Sequence, residues 1–125
     1  MPNASNVLIV DDEPGILKTL TSILLDKGMS IAQAYNGVKA VEAMTNHQFD
    51  TVLLDIMMPE MNEVDALIEI KRINPQAKII MMTGFGKNHP LVKQALESGV
   101  DKLLEKPFDL DELLDCIESV HELMA

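Results

Sequence analysis

The sequence predicts a doubly wound α/β domain on a five-stranded parallel sheet, and two observations carry that expectation. Apolar runs of strand length alternate with longer segments of helical periodicity, so that the chain reads βαβαβαβαβα. The strand-length runs also lack the strict polar alternation of a sheet with one wet face, which is the pattern of parallel strands covered by helices on both sides. The first strand is expected at residues 7–10, followed after Pro14 by a helix that places Ile16, Leu17, Leu20, Ile23 and Leu24 on one face and stops at Gly28. A weaker second strand over Ser30–Ala34 leads through Asn36 and Gly37 into a helix carrying Val38, Val41 and Met44. The third strand, residues 51–54, precedes a loop containing Pro59 and a helix over Glu63–Ile73 that ends before Pro75. A fourth strand at 78–82 and a glycine-containing loop at 84–88 lead to a helix over 90–98. A short fifth strand, Lys102–Glu105, precedes the last helix, which starts at Asp109 with Glu112 three residues on, a variant of the capping box. That helix presents Leu110, Leu113, Leu114, Ile117 and Val120 to the core.

Composition fits one domain spanning residues 1–125, with 47% of the chain apolar and neither internal repeat nor linker. A chain of this length buries roughly two thirds of its unfolded surface and needs no disulfide or structural metal to hold it. Cys116 is the only cysteine, which excludes disulfide scaffolds and zinc fingers and implies a reducing, cytoplasmic setting. Residues 1–6 have no basic region and run into a short apolar stretch, so no signal peptide is expected. No window approaches the roughly 20 apolar residues a bilayer span needs. The net charge of −10 repels phosphate backbones and argues against direct nucleic-acid binding. Most of the nine methionines sit at apolar positions, where core packing is the plain reading.

In a sheet of this kind ligands bind outside the carboxyl ends of the strands, where the winding reverses. Asp11-Asp12-Glu13 follows the first strand, Asp55 the third, Thr83 the fourth and Lys106-Pro107 the fifth. With strands ordered 2-1-3-4-5, these groups converge. Glu13 reads more plainly as a capping or solvated first-turn residue, and Asp11 alone could be a helix N-cap. Asp55 is harder to explain structurally, because an acid beside a buried strand is costly unless paired or liganded. Thr83 or Lys106 alone would be ordinary; the constellation raises them. Three carboxylates drawn together repel, and a cation is the natural compensation. Oxygen ligands, few in number, suit Mg²⁺, which at such sites commonly works on phosphates. Asp55, the Asp11/Asp12 pair, Thr83 and Lys106 could then supply the nucleophile, the metal ligands and the donors of a phosphoryl site. His47, His89 and His121 lie away from the strand ends and are assigned surface or capping roles.

The motifs Asp11-Asp12, Asp55-Ile56-Met57-Met58-Pro59-Glu60-Met61, Thr83-Gly84 and Lys106-Pro107-Phe108 resemble, in order and spacing, those of the response-regulator receiver domain, the CheY-like fold of two-component signal transduction. The resemblance covers essentially the whole chain. It implies transfer of a phosphoryl group from a phosphohistidine of a sensor histidine kinase, or of a phosphotransfer protein, onto Asp55, catalysed by the receiver itself. Asp12 and Asp55 would ligate Mg²⁺ directly, Asp11 largely through water, and the Met57 backbone carbonyl would complete the protein ligands. Lys106 would pair with the phosphoryl oxygens, the Thr83 hydroxyl would swing in to hydrogen-bond one of them, and the Lys106-Pro107 bond would be cis. The output would be a changed protein-interaction face read by a downstream effector domain or protein. The chain would be a stand-alone regulator or the receiver of a larger one, where phosphorylation-dependent dimerisation through the face of the fourth and fifth helices would be expected. The loop Thr83-Gly84-Phe85-Gly86 looks like those of receivers attached to transcription activators.

Two alternatives stay open at this stage. One is an aspartyl-phosphate phosphatase or phosphotransferase of the haloacid-dehalogenase kind, although that class carries a second aspartate where this chain has Met57. The other is a phosphate-independent docking module. A nucleotide or flavin binder lacks a P-loop or GxGxxG sequence after the first strand. The chain departs from the family pattern at two places, and two variable positions flank the site. Leu103 stands three before the lysine, where an aromatic residue usually couples to the threonine. Asn62-Glu63 follows the Pro59 loop where glycine is common, and Asn62 could take its left-handed geometry. Met57 and Phe85, bulky and apolar, flank the site. We expect them to hinder the in-line water and slow loss of phosphate, so Met57→Asn should speed decay of the phosphorylated protein. An unchanged decay rate would count against this role.

Overall fold

The computed structural model describes residues 6–55, 63–86 and 88–122. Its elements in chain order are β1 (Asn6–Val10), α1 (Pro14–Asp26), β2 (Ser30–Ala34), α2 (Gly37–Asn46), β3 (Thr51–Asp55), α3 (Glu63–Ile73), β4 (Lys78–Thr83), α4 (Pro90–Glu97), β5 (Lys102–Glu105) and α5 (Leu110–Glu122). The strands form one sheet in the order β2-β1-β3-β4-β5, each neighbouring pair parallel, as the alternation of elements required.

Strands β3 and β4 each run one residue beyond their apolar stretch and end on a polar side chain. The ladder continues past the apolar run because Asp55 stands opposite Met82 and Thr83 opposite Glu105. Hydrogen bonding and not hydrophobicity sets where these strands stop. The helices obey their local signals. Pro14 opens α1, where a missing N–H costs nothing, and Gly28 closes its turn at φ +88°. Asn36 caps α2 by accepting the Lys39 N–H at 2.8 Å. The capping box of α5 is reciprocal. The Glu112 N–H donates to Asp109 Oδ1 at 2.9 Å and the Asp109 N–H to Glu112 Oε1 at 3.2 Å. Asp109 is the cap, so α5 begins one residue after it.

Alternation along each strand divides the core into two layers. Leu8, Val10, Val52, Leu54, Ile79 and Met81 face α2, α3 and α4, which contribute Ala40, Met44, Leu67, Ile70, Val92 and Ala95. Val7, Ile9, Leu53, Ile80, Met82 and Leu104 face α1 and α5, which contribute Leu17, Leu20, Leu24, Leu113, Ile117 and Val120. The central strands are thereby sealed on both sides, as their unbroken apolar runs foretold. Met44, Met81 and Met82 are buried, in keeping with their packing role. Among the described residues no helix is long and apolar enough to cross a membrane. Leu53 is fully buried between its neighbours, so Leu53→Ala should lower stability by about 3 kcal/mol through lost burial and a residual cavity. Urea denaturation measures this, and a loss below about 1 kcal/mol would contradict the layer assignment.

Candidate functional site

The parallel strands deliver four of the expected residues to the same edge of the sheet. Asp11 follows β1 directly, Asp55 ends β3, Thr83 ends β4 and Lys106 follows β5. Backbone bonds hold the connections: the Asp11 N–H donates to the Ala34 carbonyl at 3.0 Å and the Lys106 N–H to the Thr83 carbonyl at 2.7 Å. The Lys106-Pro107 peptide bond is cis.

Asp11 and Asp55 are buried, at 0% and 1% exposure, whereas Asp12 is exposed. One carboxylate oxygen from each of Asp11, Asp12 and Asp55 lies within 4.8 Å of the others. The Lys106 ammonium sits 3.3 Å from Asp55 Oδ2 and 3.8 Å from Asp11 Oδ2. Asp11 Oδ1 accepts the Glu13 N–H at 2.9 Å, while Asp11 Oδ2 is buried without a hydrogen-bond partner among the described residues. Glu13 occupies the N-cap position of α1 without capping through its side chain, so it is Asp11, two residues earlier, that satisfies a backbone donor there. Burial pushes the Asp11 carboxyl up to about 6; the Glu13 N–H and the Lys106 charge pull it down, and the Asp55 charge pushes it further up.

Thr83 is fully buried, and its Oγ1 accepts the Phe85 N–H at 2.9 Å. Met57 and Asn62 lie outside the described residues. Leu103 is half-buried against the core layer beneath α2, α3 and α4, in the same layer as Phe85. His89 caps α4: its Nδ1 accepts the Leu91 N–H at 3.1 Å. Its ring stacks on Phe85, a pairing that local sequence patterns did not reveal. Two grooves adjoin the acidic cluster. One of about 790 Å³ runs from Asp12 along α1 to Tyr35, and one of about 530 Å³ runs between α1 and the start of α5, reaching Lys106.

Among the described residues, three carboxylates against one ammonium, with a buried carboxylate oxygen lacking a donor, form a cluster short of positive charge. An all-oxygen set with few protein ligands fits Mg²⁺, which keeps several waters. The chemistry open to such a cluster is attack of a carboxylate on a group whose negative charge the cation and the ammonium share.

A family model described as the response regulator receiver domain matches residues 7–118. The chemotaxis protein CheY of Bacillus subtilis is 40% identical over 115 residues, covering 91% of this chain and 95% of that protein. A response regulator receiver domain protein (CheY-like) from Methanospirillum hungatei superposes with a TM-score of 0.89 at 29% identity, covering 95% of each chain. The CheX-CheY-BeF3-Mg2+ complex from Borrelia burgdorferi contains a chain that superposes with a TM-score of 0.85 at 36% identity, covering 94% of this chain and 89% of that one.

The charge imbalance gives a testable consequence. Saturating Mg²⁺ should stabilise the protein, by about 2.7 kcal/mol at a hundred times its Kd, while Asp11→Asn should raise the metal-free melting midpoint and remove most of the Mg²⁺ response. Thermal scans with and without Mg²⁺ measure both, and an equal Mg²⁺ shift in the variant would show that Asp11 does not help hold the ion.

Proposed function

The chain belongs to the response-regulator receiver family, whose members are phosphorylation-activated switches of two-component systems, and from that premise we propose that Asp55 is its phosphoacceptor. Receiver domains are signalling switches and not classical enzymes. In this reading residues 1–125 form one receiver domain in the cytoplasm, and its catalysis is confined to its own phosphorylation and dephosphorylation. The observation that carries the reading is the 3.3 Å approach of the Lys106 ammonium to Asp55 Oδ2 inside the three-carboxylate cluster. A buried acid at the end of a core strand, paired with a cation and crowded by like charge, is placed for chemistry more than for packing.

An Asp55 carboxylate oxygen attacks the phosphorus of a partner's phosphohistidine. The P–N bond breaks, its electron pair returns to the imidazole nitrogen, and a mixed anhydride forms on Asp55. Loss of phosphate is the attack of water on the same phosphorus, with the electron pair of the P–O bond returning to the Asp55 carboxylate. Lys106, already beside Asp55, stabilises charge on the phosphoryl oxygens. Asp11, Asp12 and Asp55 would hold Mg²⁺, with the Met57 carbonyl as a further ligand by family likeness; when bound, the ion neutralises charge on the transferring group. Asp11 with its buried Oδ2 also orients the cluster, since its Oδ1 is fixed on the Glu13 N–H. The Thr83 hydroxyl keeps its own hydrogen free to donate while accepting from Phe85, and it turns to a phosphoryl oxygen.

The natural donors are a sensor histidine kinase or a phosphotransfer protein, and the grooves flanking the cluster offer apolar surface for such a partner beside the reacting carboxylate. The reader of the signal is an effector domain or protein, with phosphorylation-dependent dimerisation through α4 and α5 where the receiver is part of a larger regulator. Incubation with Mg²⁺ and acetyl phosphate should add one phosphoryl group by intact mass, and Asp55→Asn should abolish the gain. Uptake undiminished in the variant would move the acceptor elsewhere, and no uptake by either protein would leave a docking module of receiver shape.

A further inference from the structure

The two edges of the sheet are finished differently. Strand order leaves β2 and β5 with one neighbour each among the described residues. Strand β5 carries Lys102 and Glu105 at its ends, charges of the kind that keep an exposed edge from pairing with another chain. Strand β2 reads Ser30-Ile31-Ala32-Gln33-Ala34, with no charge, no proline and an unbroken register against β1. The ladder sets which of its backbone groups face outward. The Asp11 N–H donates to the Ala34 carbonyl at 3.0 Å, which turns the backbone groups of Ala34, and by alternation those of Ala32 and Ser30, toward β1. Those of Ile31 and Gln33 point away from the sheet.

Grooves lie on both faces of this edge. The one of about 790 Å³ separates α1 from Gln33 and Tyr35, and another of about 370 Å³ runs between β2 and α2 along Ala32, Ala34 and Ala43. Large apolar side chains stand exposed around them: Leu25 on α1 and Val38 on α2, at 54% and 52%, and Tyr35 just past the end of the strand. The charges lining the grooves balance, Asp12 with Lys18 on one face and Glu42 with Lys39 on the other, on a chain whose net charge is −10. A second copy meets less repulsion here than the net charge implies for the surface as a whole.

We propose that the occupant of this edge is a second copy of the chain, its β2 paired antiparallel with the first across a two-fold axis at Ala32. Ser30 then stands opposite Ala34 of the second copy, Ile31 opposite Gln33, and Ala32 opposite its own counterpart, so the strand pair encloses no charged side chain. The outward N–H and C=O groups of Ile31 and Gln33 bond across the axis. That axis is perpendicular to the sheet, so each helix layer continues, α1 beside α1 and α2 beside α2. Both helices pack on β1 and β2, which puts each roughly 10 Å from its counterpart, the spacing of packed helices. Leu25 and Val38 are thereby covered. A lone extended peptide would pair with the strand and leave both helices bare, whereas stable interfaces bury roughly 1,200–2,000 Å² in total, which calls for the helices as well as the strand. The contact uses the edge opposite to β5 and needs no phosphoryl group.

Sedimentation equilibrium of the unphosphorylated protein, without Mg²⁺ or phosphodonor, tests the proposal together with disulfide cross-linking. The mass should rise with concentration from one chain to two, with a Kd at or below about 100 μM. Gln33→Lys, which places a charge on the edge and keeps the outward amide, should weaken association at least tenfold. In a Cys116→Ser background, Ala32→Cys should form a covalent dimer with oxidised glutathione, because residues opposed in a non-hydrogen-bonded pair lie about 4.5 Å apart at Cα, within reach of a disulfide. Lys102→Cys on β5 in the same background should not. A monomer at every concentration up to about 1 mM would overturn the proposal and leave the edge to a segment of another protein. Association undiminished by Gln33→Lys, with no cross-link through Ala32→Cys, would overturn it in favour of another face.

Discussion

Two buried carboxylates share the Lys106 ammonium at the carboxyl edge of the sheet, and the rest of the molecule holds them there against their repulsion. Like charges about 4 Å apart repel by roughly 4 kcal/mol at an effective dielectric near 20, enough to spread any flexible scaffold. Spreading is blocked because Asp11 follows β1 and Asp55 ends β3, two neighbouring interior strands of the sheet. Val7, Leu8, Ile9 and Val10 are fully buried on one strand, and Val52 and Leu53 on the other. Moving either acid away would tear a backbone ladder sealed by helices on both faces.

Acidic residues at the opposite edge show what a structural aspartate looks like in the same fold. Asp50 Oδ2 accepts the Asn6 N–H at 3.0 Å. Asp101 Oδ2 accepts the Ile79 N–H at 2.8 Å and pairs with Lys71 at 3.1 Å, and Lys71 also donates to the Ala77 carbonyl. Each of these carboxylates is answered by a backbone donor and ties strand ends together. Asp11 also accepts a backbone donor, on Oδ1, but its Oδ2 is buried without a hydrogen-bond partner among the described residues. The contrast separates acids that finish the fold from Asp11, whose buried oxygen is open to a cation, since a buried acceptor without a donor costs stability unless something else supplies the charge.

The positions legible in the sequence were those fixed by periodicity and covalent neighbourhood. Strand runs, the glycine stop after α1, the Asp109/Glu112 box and the convergence of Asp11, Asp55, Thr83 and Lys106 all follow from patterns a few residues long combined with one topological rule. The apolar runs stop one residue short of the ends of β3 and β4, because hydrophobicity marks where a strand is buried, whereas the cross-strand pairs of Asp55 and Thr83 decide where it ends. For His89 the sequence supports a surface or capping role, and it caps α4. Its stacking on Phe85 was not legible, nor was the Lys71–Asp101 bracket, because both depend on how loops fold back. No local propensity encodes such a return.

Rigidity and responsiveness are therefore divided between the two sides of Thr83. Toward the sheet, its carbonyl accepts from Lys106 and its strand is locked between β3 and β5. Toward the loop, its hydroxyl holds a half-buried phenylalanine whose ring leans on the cap of the shortest described helix. The strand end is held by its ladder in the core, whereas α4 is eight residues long and anchored by Val92 and Ala95. An aliphatic Leu103 packs in the same core layer as Phe85, so β5 gives the end of β4 a firm apolar wall on that side.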